Sequence, residues 1–157
     1  MLDTQFVCMD LKANSAEEAI RTLCGKLVET GAVDKQYEEA VLQREKIYPT
    51  GLPTPGYPLA LPHAANDHVR QSAIAVGRLE KPVQFFSMAM DDELLPVRLV
   101  LLLAIDDPNQ QLDLLQNLVT AIQEEETLQA LENAESCEAQ AQLLRKVGLL
   151  QKKESAS

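Results

Sequence analysis

Five of the chain's eight prolines and both of its histidines fall between Arg44 and His68, in REKIYPTGLPTPGYPLALPHAANDH. No other stretch restricts the fold so strongly. Pro49, Pro53, Pro55, Pro58 and Pro62 each remove a backbone donor and fix φ, and the residues before them are pushed toward extended backbone. Gly51 and Gly56 permit tight turns. The composition predicts a long folded loop ending in a short extended piece over Pro58–Leu61. A loop of this length inside a compact domain is uncommon and often functional; the alternative is a stiff surface linker.

Regular elements are expected on both sides of this loop. Leu2, Phe6 and Met9 alternate loosely along Met1–Leu11, as in an edge strand or an extended arm. Ser15 and Glu18 have the spacing of a capping box. Ala19, Ile20, Leu23, Leu27 and Val28 then follow helical spacing up to a terminator at Gly31, which predicts a helix over Ala16–Thr30. A second helix, capped by Asp34, carries Tyr37, Ala40, Val41 and Leu42 on its packing side and stops before Pro49. Arg44 lies in its last turns. There it either reaches over the loop or serves as an ordinary cationic partner of the helix end.

After the loop, Ser72–Leu79 reads as a strand and Val83–Phe86 as a second, shorter one started by Pro82. Met88 and Met90 are expected to pack at the core or its rim. Asp91, Asp92 and Glu93 make an acidic turn with no companion ligands to complete a metal set. Val97–Ile105 is apolar except for Arg98, the pattern of a central strand covered on both faces. Asp107-Pro108-Asn109-Gln110 is a helix start. Leu112, Leu115, Leu118, Val119 and Ile122 form its expected apolar stripe, with Leu114 beside it. A helical turn over Thr127–Leu131 follows. Ser136 then caps a last helix with Ala139, Leu143, Leu144 and Val147, ended near Gly148. The order predicts one domain, over 1–150, with a mixed sheet under helical cover, and a mobile tail over 151–157.

The 157 residues suffice for one sizeable core. A net charge of −10 argues against a nucleic-acid partner and permits docking on a basic protein surface. The longest apolar run, Leu99–Ile105, is too short to span a bilayer. Cys8, Cys24 and Cys137 are odd in number and irregularly spaced. Without a signal segment they are expected to be reduced and to behave as small hydrophobes, in a cytoplasmic setting.

An arginine near a helix end, then Thr50-Gly51, then Ala60-Leu61-Pro62-His63, make an ordered set. With the Val97–Ile105 strand and the leucine-rich helix, this set resembles the fructose/mannitol-type EIIA domains of the bacterial phosphoenolpyruvate-dependent sugar phosphotransferase system, and within them the galactitol type. The resemblance implies an α/β fold with a mixed, mostly parallel sheet, helices on both faces, and His63 at a shallow exposed site. It implies that His63 accepts a phosphoryl group from phospho-HPr and passes it to a cysteine of a cognate EIIB. The membrane EIIC permease then carries the sugar, galactitol or a related carbohydrate. No metal or organic cofactor and no direct membrane insertion are expected.

Neutral imidazole suits this chemistry, being nucleophilic near neutral pH and a good leaving group once phosphorylated. Arg44 matches the family's arginine and is expected to contact the phosphoryl oxygens or order the loop around them. Mannitol-like relatives carry a second histidine where this chain has Gln111; an amide donates a hydrogen bond there but carries no proton charge. His68 matches the galactitol-type pattern, either stabilising the phosphoryl group or orienting His63, unless it is only a local cap. Asp67 can orient either imidazole. The competing readings are a regulatory protein that signals through its phosphorylation, and a non-catalytic binding module on the same scaffold. Two histidines and scattered acids do not define a metalloenzyme.

Overall fold

The structure is a computed structural model that describes residues 5–90, 92–134 and 136–146. Leu2, Asp91, Val147, Gly148 and the tail 151–157, on which several expectations fall, lie outside them, as does the side chain of Leu144. Five strands, β1 (Gln5–Leu11), β2 (Gly51–Leu52), β3 (Leu59–Ala60), β4 (Ala73–Phe86) and β5 (Leu94–Ala104), form one sheet in the order β1-β4-β5-β3-β2. Around it lie α1 (Ala16–Glu29), α2 (Lys35–Ile47), α3 (Pro108–Ala121), α4 (Glu125–Asn133) and α5 (Cys137–Lys146), with a short 3₁₀ turn at Asn66–His68.

The sheet is mixed, as expected. Parallel pairing joins β1 to β4 and β3 to β5, flanking one long antiparallel β4–β5 ladder, and β2 adds an antiparallel edge to β3. Successive side chains of β5 alternate between two cores. Val100, Leu102 and Ala104 meet α1 and α2, including Leu23, Leu27, Tyr37 and Val41. Leu99, Leu101 and Leu103 meet Leu114 and Leu118 of α3, Ile122 at its C-terminal cap, and Leu128 and Leu131 of α4. A strand buried on both faces reads as a continuous apolar run for this reason.

Several expectations are corrected. The two strands over 72–79 and 83–86 are one, β4, whose register with β5 shifts between Arg78 and Val83. Pro82 falls within that irregularity, where its missing N–H breaks no regular ladder bond. The α3 stripe is rotated: Leu114, Leu118 and Ile122 are buried, whereas Leu112 is 56% and Val119 37% exposed. Covering one sheet face takes one side of the helix, and Leu112 and Val119 lie outside that sector. Met88 and Met90 are exposed rather than packed in the core. The turn at 127–131 is a full helix, α4. Cys8 and Cys137 form a disulfide that ties β1 to α5, with Cα atoms 5.7 Å apart, leaving Cys24 free and buried. Their sequence separation of 129 residues hides this pairing.

Helix ends follow the local chemistry. The Ser15 side chain accepts from the Glu18 N–H at 3.1 Å, and Gly31 takes φ +79, a conformation that side chains disfavour. Asp107 caps α3 by accepting from the Asn109 N–H at 2.9 Å. Asp34 precedes α2 without a side-chain capping bond, because its carboxylate faces Arg70 and His68 instead.

Candidate functional site

The proline-rich stretch is a folded strap. Its first half makes β2, its second half β3, and the chain then continues parallel to β5. The Leu103 N–H donates to the Pro62 carbonyl at 3.0 Å, and His63 bridges Leu103. His63 therefore sits just past β3, at the same end of the sheet as the C-terminus of β5 and the start of α3. Beyond it, Asn66 donates to the Asp106 carbonyl at 2.8 Å, which ties the 3₁₀ turn to the β5–α3 junction.

Tyr37 clamps this loop from the opposite side. Its hydroxyl donates to the Leu103 carbonyl at 2.7 Å and accepts from the Ala64 N–H at 3.2 Å. Helix α2, strand β5 and the residue after His63 thus share one buried oxygen. Desolvation raises the Tyr37 pKa and keeps the hydroxyl protonated. Tyr37 was legible from sequence only as a packing residue. The available signal was that a phenol in a core needs a polar partner.

The His63 ring is half-buried rather than fully exposed. Nδ1 lies 2.7 Å from the Leu61 carbonyl. A carbonyl only accepts, so Nδ1 carries the proton and the Nε2 lone pair is left available. Burial lowers the His63 pKa; the Leu61 hydrogen bond opposes this, and the nearby charge of Arg44 adds to the lowering. The ring is accordingly held toward its neutral, nucleophilic form.

Arg44 lies near the end of α2 with its guanidinium 5.2 Å from the centre of the Tyr48 ring. It makes no ion pair among the described residues. Arg21, Arg70, Arg78 and Arg98 each face a carboxylate. Gln111, in the first turns of α3, donates from Nε2 to the Ala64 carbonyl at 3.5 Å. The structure thus gathers His63, Arg44 and Gln111 around one loop. His68 is held apart in its hydrogen bonding. Its Nδ1 is 3.9 Å from Asp34, and its carbonyl accepts from the Asp34 N–H at 2.9 Å. Among the described residues, no hydrogen bond joins His68 or Asp67 to His63.

Over residues 1–147 the sequence matches the family described as phosphoenolpyruvate-dependent sugar phosphotransferase system, EIIA 2. The chain belongs to that family. It is 29% identical over 126 residues to the galactitol-specific EIIA component of Escherichia coli, covering 80% of this chain and 83% of that protein. It is 35% identical over 107 residues to the multiphosphoryl transfer protein of Shigella flexneri, covering 67% of this chain but only 12% of that much longer protein. The fold superposes on the Escherichia coli enzyme IIAMTL, solved in complex with phosphorylated enzyme IIBMTL, with a TM-score of 0.70 and 28% identity, covering 90% of this chain and 94% of that one. The expected EIIA-type α/β fold and the general phosphocarrier function of EIIA domains therefore hold for this chain. Among the described residues, no helix is long and apolar enough to cross a membrane.

Proposed function

We propose that this protein is the EIIA phosphocarrier of a carbohydrate uptake system, working in the cytoplasm between phospho-HPr and a cognate EIIB, for galactitol or a related carbohydrate. The observation that carries the reading is the state of His63: Nδ1 anchored on the Leu61 carbonyl, with Arg44 close by and uncommitted to any carboxylate among the described residues.

In the first half-reaction the Nε2 lone pair of His63 attacks the phosphorus. The N–P bond of the donor breaks and its electron pair returns to the donor imidazole. The Nδ1 proton stays on the ring, and the Leu61 carbonyl stabilises the positive character that the ring gains. In the second half-reaction a thiolate of EIIB attacks the same phosphorus. The His63 N–P bond breaks, and neutral imidazole is regenerated. Little covalent work falls to the protein beyond alignment and charge compensation. Arg44 compensates the transferring oxygens with a fork of donors. Gln111 supplies an amide near the same loop, and His68 supports the site through the start of α2.

The galactitol assignment is supported by likeness along most of a galactitol-specific EIIA component, and by a glutamine at 111, as in the galactitol-type pattern that the chain resembles, where mannitol-like relatives carry a histidine. Incubation with a phospho-HPr donor system followed by intact-mass analysis is expected to show one acid-labile phosphate, absent in His63→Ala. An unmodified wild type, or a normally modified variant, rejects the reading. Transfer onward to the EIIB cysteine separates transport from regulation, and a sugar panel with the cognate EIIB and EIIC identifies the carbohydrate.

A further inference from the structure

Glu45 has no part in the mechanism above, yet it is half-buried at the end of α2 and linked to His63 by hydrogen bonds through Thr50 and the backbone of Leu61. Its Oε2 accepts from the Thr50 N–H at 2.8 Å, and its Oε1 accepts from the Thr50 hydroxyl at 2.7 Å. Thr50 Oγ1 accepts from the Leu61 N–H at 3.2 Å, and the Thr50 carbonyl shares that N–H at 3.3 Å. The Leu61 carbonyl holds His63 Nδ1 at 2.7 Å. Thr50 is only 3% exposed, so its hydroxyl has little access to water as a substitute partner.

The arrangement is directional. With the Leu61 N–H occupying a lone pair of Oγ1, the Thr50 proton points to Glu45. The carboxylate is thereby the terminal acceptor for both Thr50 donors. Burial pushes the Glu45 carboxyl up to about 7, and the two Thr50 bonds oppose that rise. A half-buried carboxyl with no cation paired to it among the described residues is costly to keep unless it does something. Here it ties Thr50, just before β2, to Leu61, just after β3 and two residues before His63, and it does so from the position after Arg44 on α2.

We propose that Glu45 is a positioning residue for His63: through Thr50 it fixes the Leu61 carbonyl that selects the Nδ1–H tautomer, and so presents Nε2 to the phosphoryl group. This rests on the phosphocarrier reading for its catalytic meaning, but the tautomer itself is a property of the resting protein.

The test uses the full chain with ¹⁵N-labelled histidine. In the wild type, the His63 ring nitrogens are expected to report one tautomer, protonated at Nδ1. Glu45→Gln replaces an acceptor with a donor facing Thr50, and Thr50→Val removes the hydroxyl at nearly constant volume. Each is expected to give a mixture of tautomers. Each should also slow transfer from phospho-HPr roughly tenfold, with the KM for the donor unchanged. Thr50→Ser restores both. A wild-type tautomer retained in folded Thr50→Val and Glu45→Gln overturns the proposal. Should Glu45→Gln fail to fold, Thr50→Val and its Thr50→Ser rescue decide the matter alone. Failure of the wild type to accept phosphate overturns the phosphocarrier reading, whereas the NMR result judges the Glu45–Thr50 linkage.

Discussion

Partway along the β4–β5 ladder, Arg78 and Arg98 border a cleft of 420 Å³ with Tyr57 and Glu132. Both guanidiniums face carboxylates, although Arg98 Nε is buried without a hydrogen-bond partner among the described residues. Arg78 faces Asp10 at 3.3 Å and donates to the Glu132 and Ala134 carbonyls, and Arg98 faces Glu132 at 3.6 Å. At the Leu103 end of β5, the charge of Arg44 reaches His63, and among the described residues Arg44 faces no carboxylate, only the Tyr48 ring. The cleft with two arginines is thus one whose charges already face carboxylates. An anion that approaches Arg78 or Arg98 must compete with fixed acceptors, while one on His63 meets a cation with donors to spare. Concavity and cation count alone would point to the arginines that already face carboxylates rather than to Arg44.

The largest expected effect tests that contrast directly. Arg44→Ala should slow phosphoryl acceptance by about 10²–10³-fold, the usual cost of losing a donor to developing charge. Arg98→Gln should stay within about twofold, as for changes outside a site. Both are read from single-turnover transfer from phospho-HPr. Equal losses in the two variants would break the comparison.

Tyrosines sharpen it next. Tyr37→Phe deprives two buried backbone groups, the Ala64 N–H and the Leu103 carbonyl, of their shared partner. Urea unfolding should show a loss of about 1–3 kcal/mol, the cost of unsatisfied buried groups. On the other side of the sheet, the Tyr57 hydroxyl donates to the Leu128 carbonyl, and Tyr57→Phe should cost about 1 kcal/mol. The first variant should also slow transfer, because the loop after His63 loses its anchor; the second should not.

A smaller effect concerns pH. Burial lowers the His63 pKa, so the folded protein binds this proton less readily than the unfolded chain. The sign follows: stability from this group rises as pH rises through the ordinary histidine range and is lost on acidification. An NMR titration should place the His63 midpoint below 6.5, the ordinary value. A midpoint at or above it would mean that the ring is solvated or faces an acid, and the burial described above would be wrong.

Much of this was legible from sequence because it is governed by local chemistry. The β5 run, both α1 ends and the Asp107-Pro108 start follow from periodicity and capping, and His63 and Arg44 from an ordered motif. What escaped was long-range. β2 is two residues long and exists because the Gly51 backbone meets the end of β4: a Cβ there would lie 2.5 Å from the Phe86 carbonyl oxygen. Thr50 and Gly51 were recognised as motif letters without this reason. Glu45 was passed over because an acid beside a helix-end arginine reads as surface charge, and only the folded strap supplies its partner. The α3 stripe was misjudged because periodicity gives an apolar sector without saying which edge of it the sheet covers.

Gln111 should yield the smallest effect and the most informative ratio. Its bond to the Ala64 carbonyl is at the long limit, 3.5 Å, so Gln111→Ala should slow transfer by less than about threefold. A carboxylate in the same place is different in kind. It repels the transferring phosphoryl group through space, and over short distances this repulsion does not need a hydrogen bond. Gln111→Glu should therefore cost roughly tenfold, a loss that shrinks as salt is added. Leu112→Glu, one residue along on an exposed side of α3, should cost less than Gln111→Glu at equal added charge. If the two acidic variants match, the first turn of α3 does not face the transferring group. If Gln111→Glu alone is slow, Gln111 stands within reach of the phosphoryl oxygens although its resting hydrogen bond is directed at the backbone.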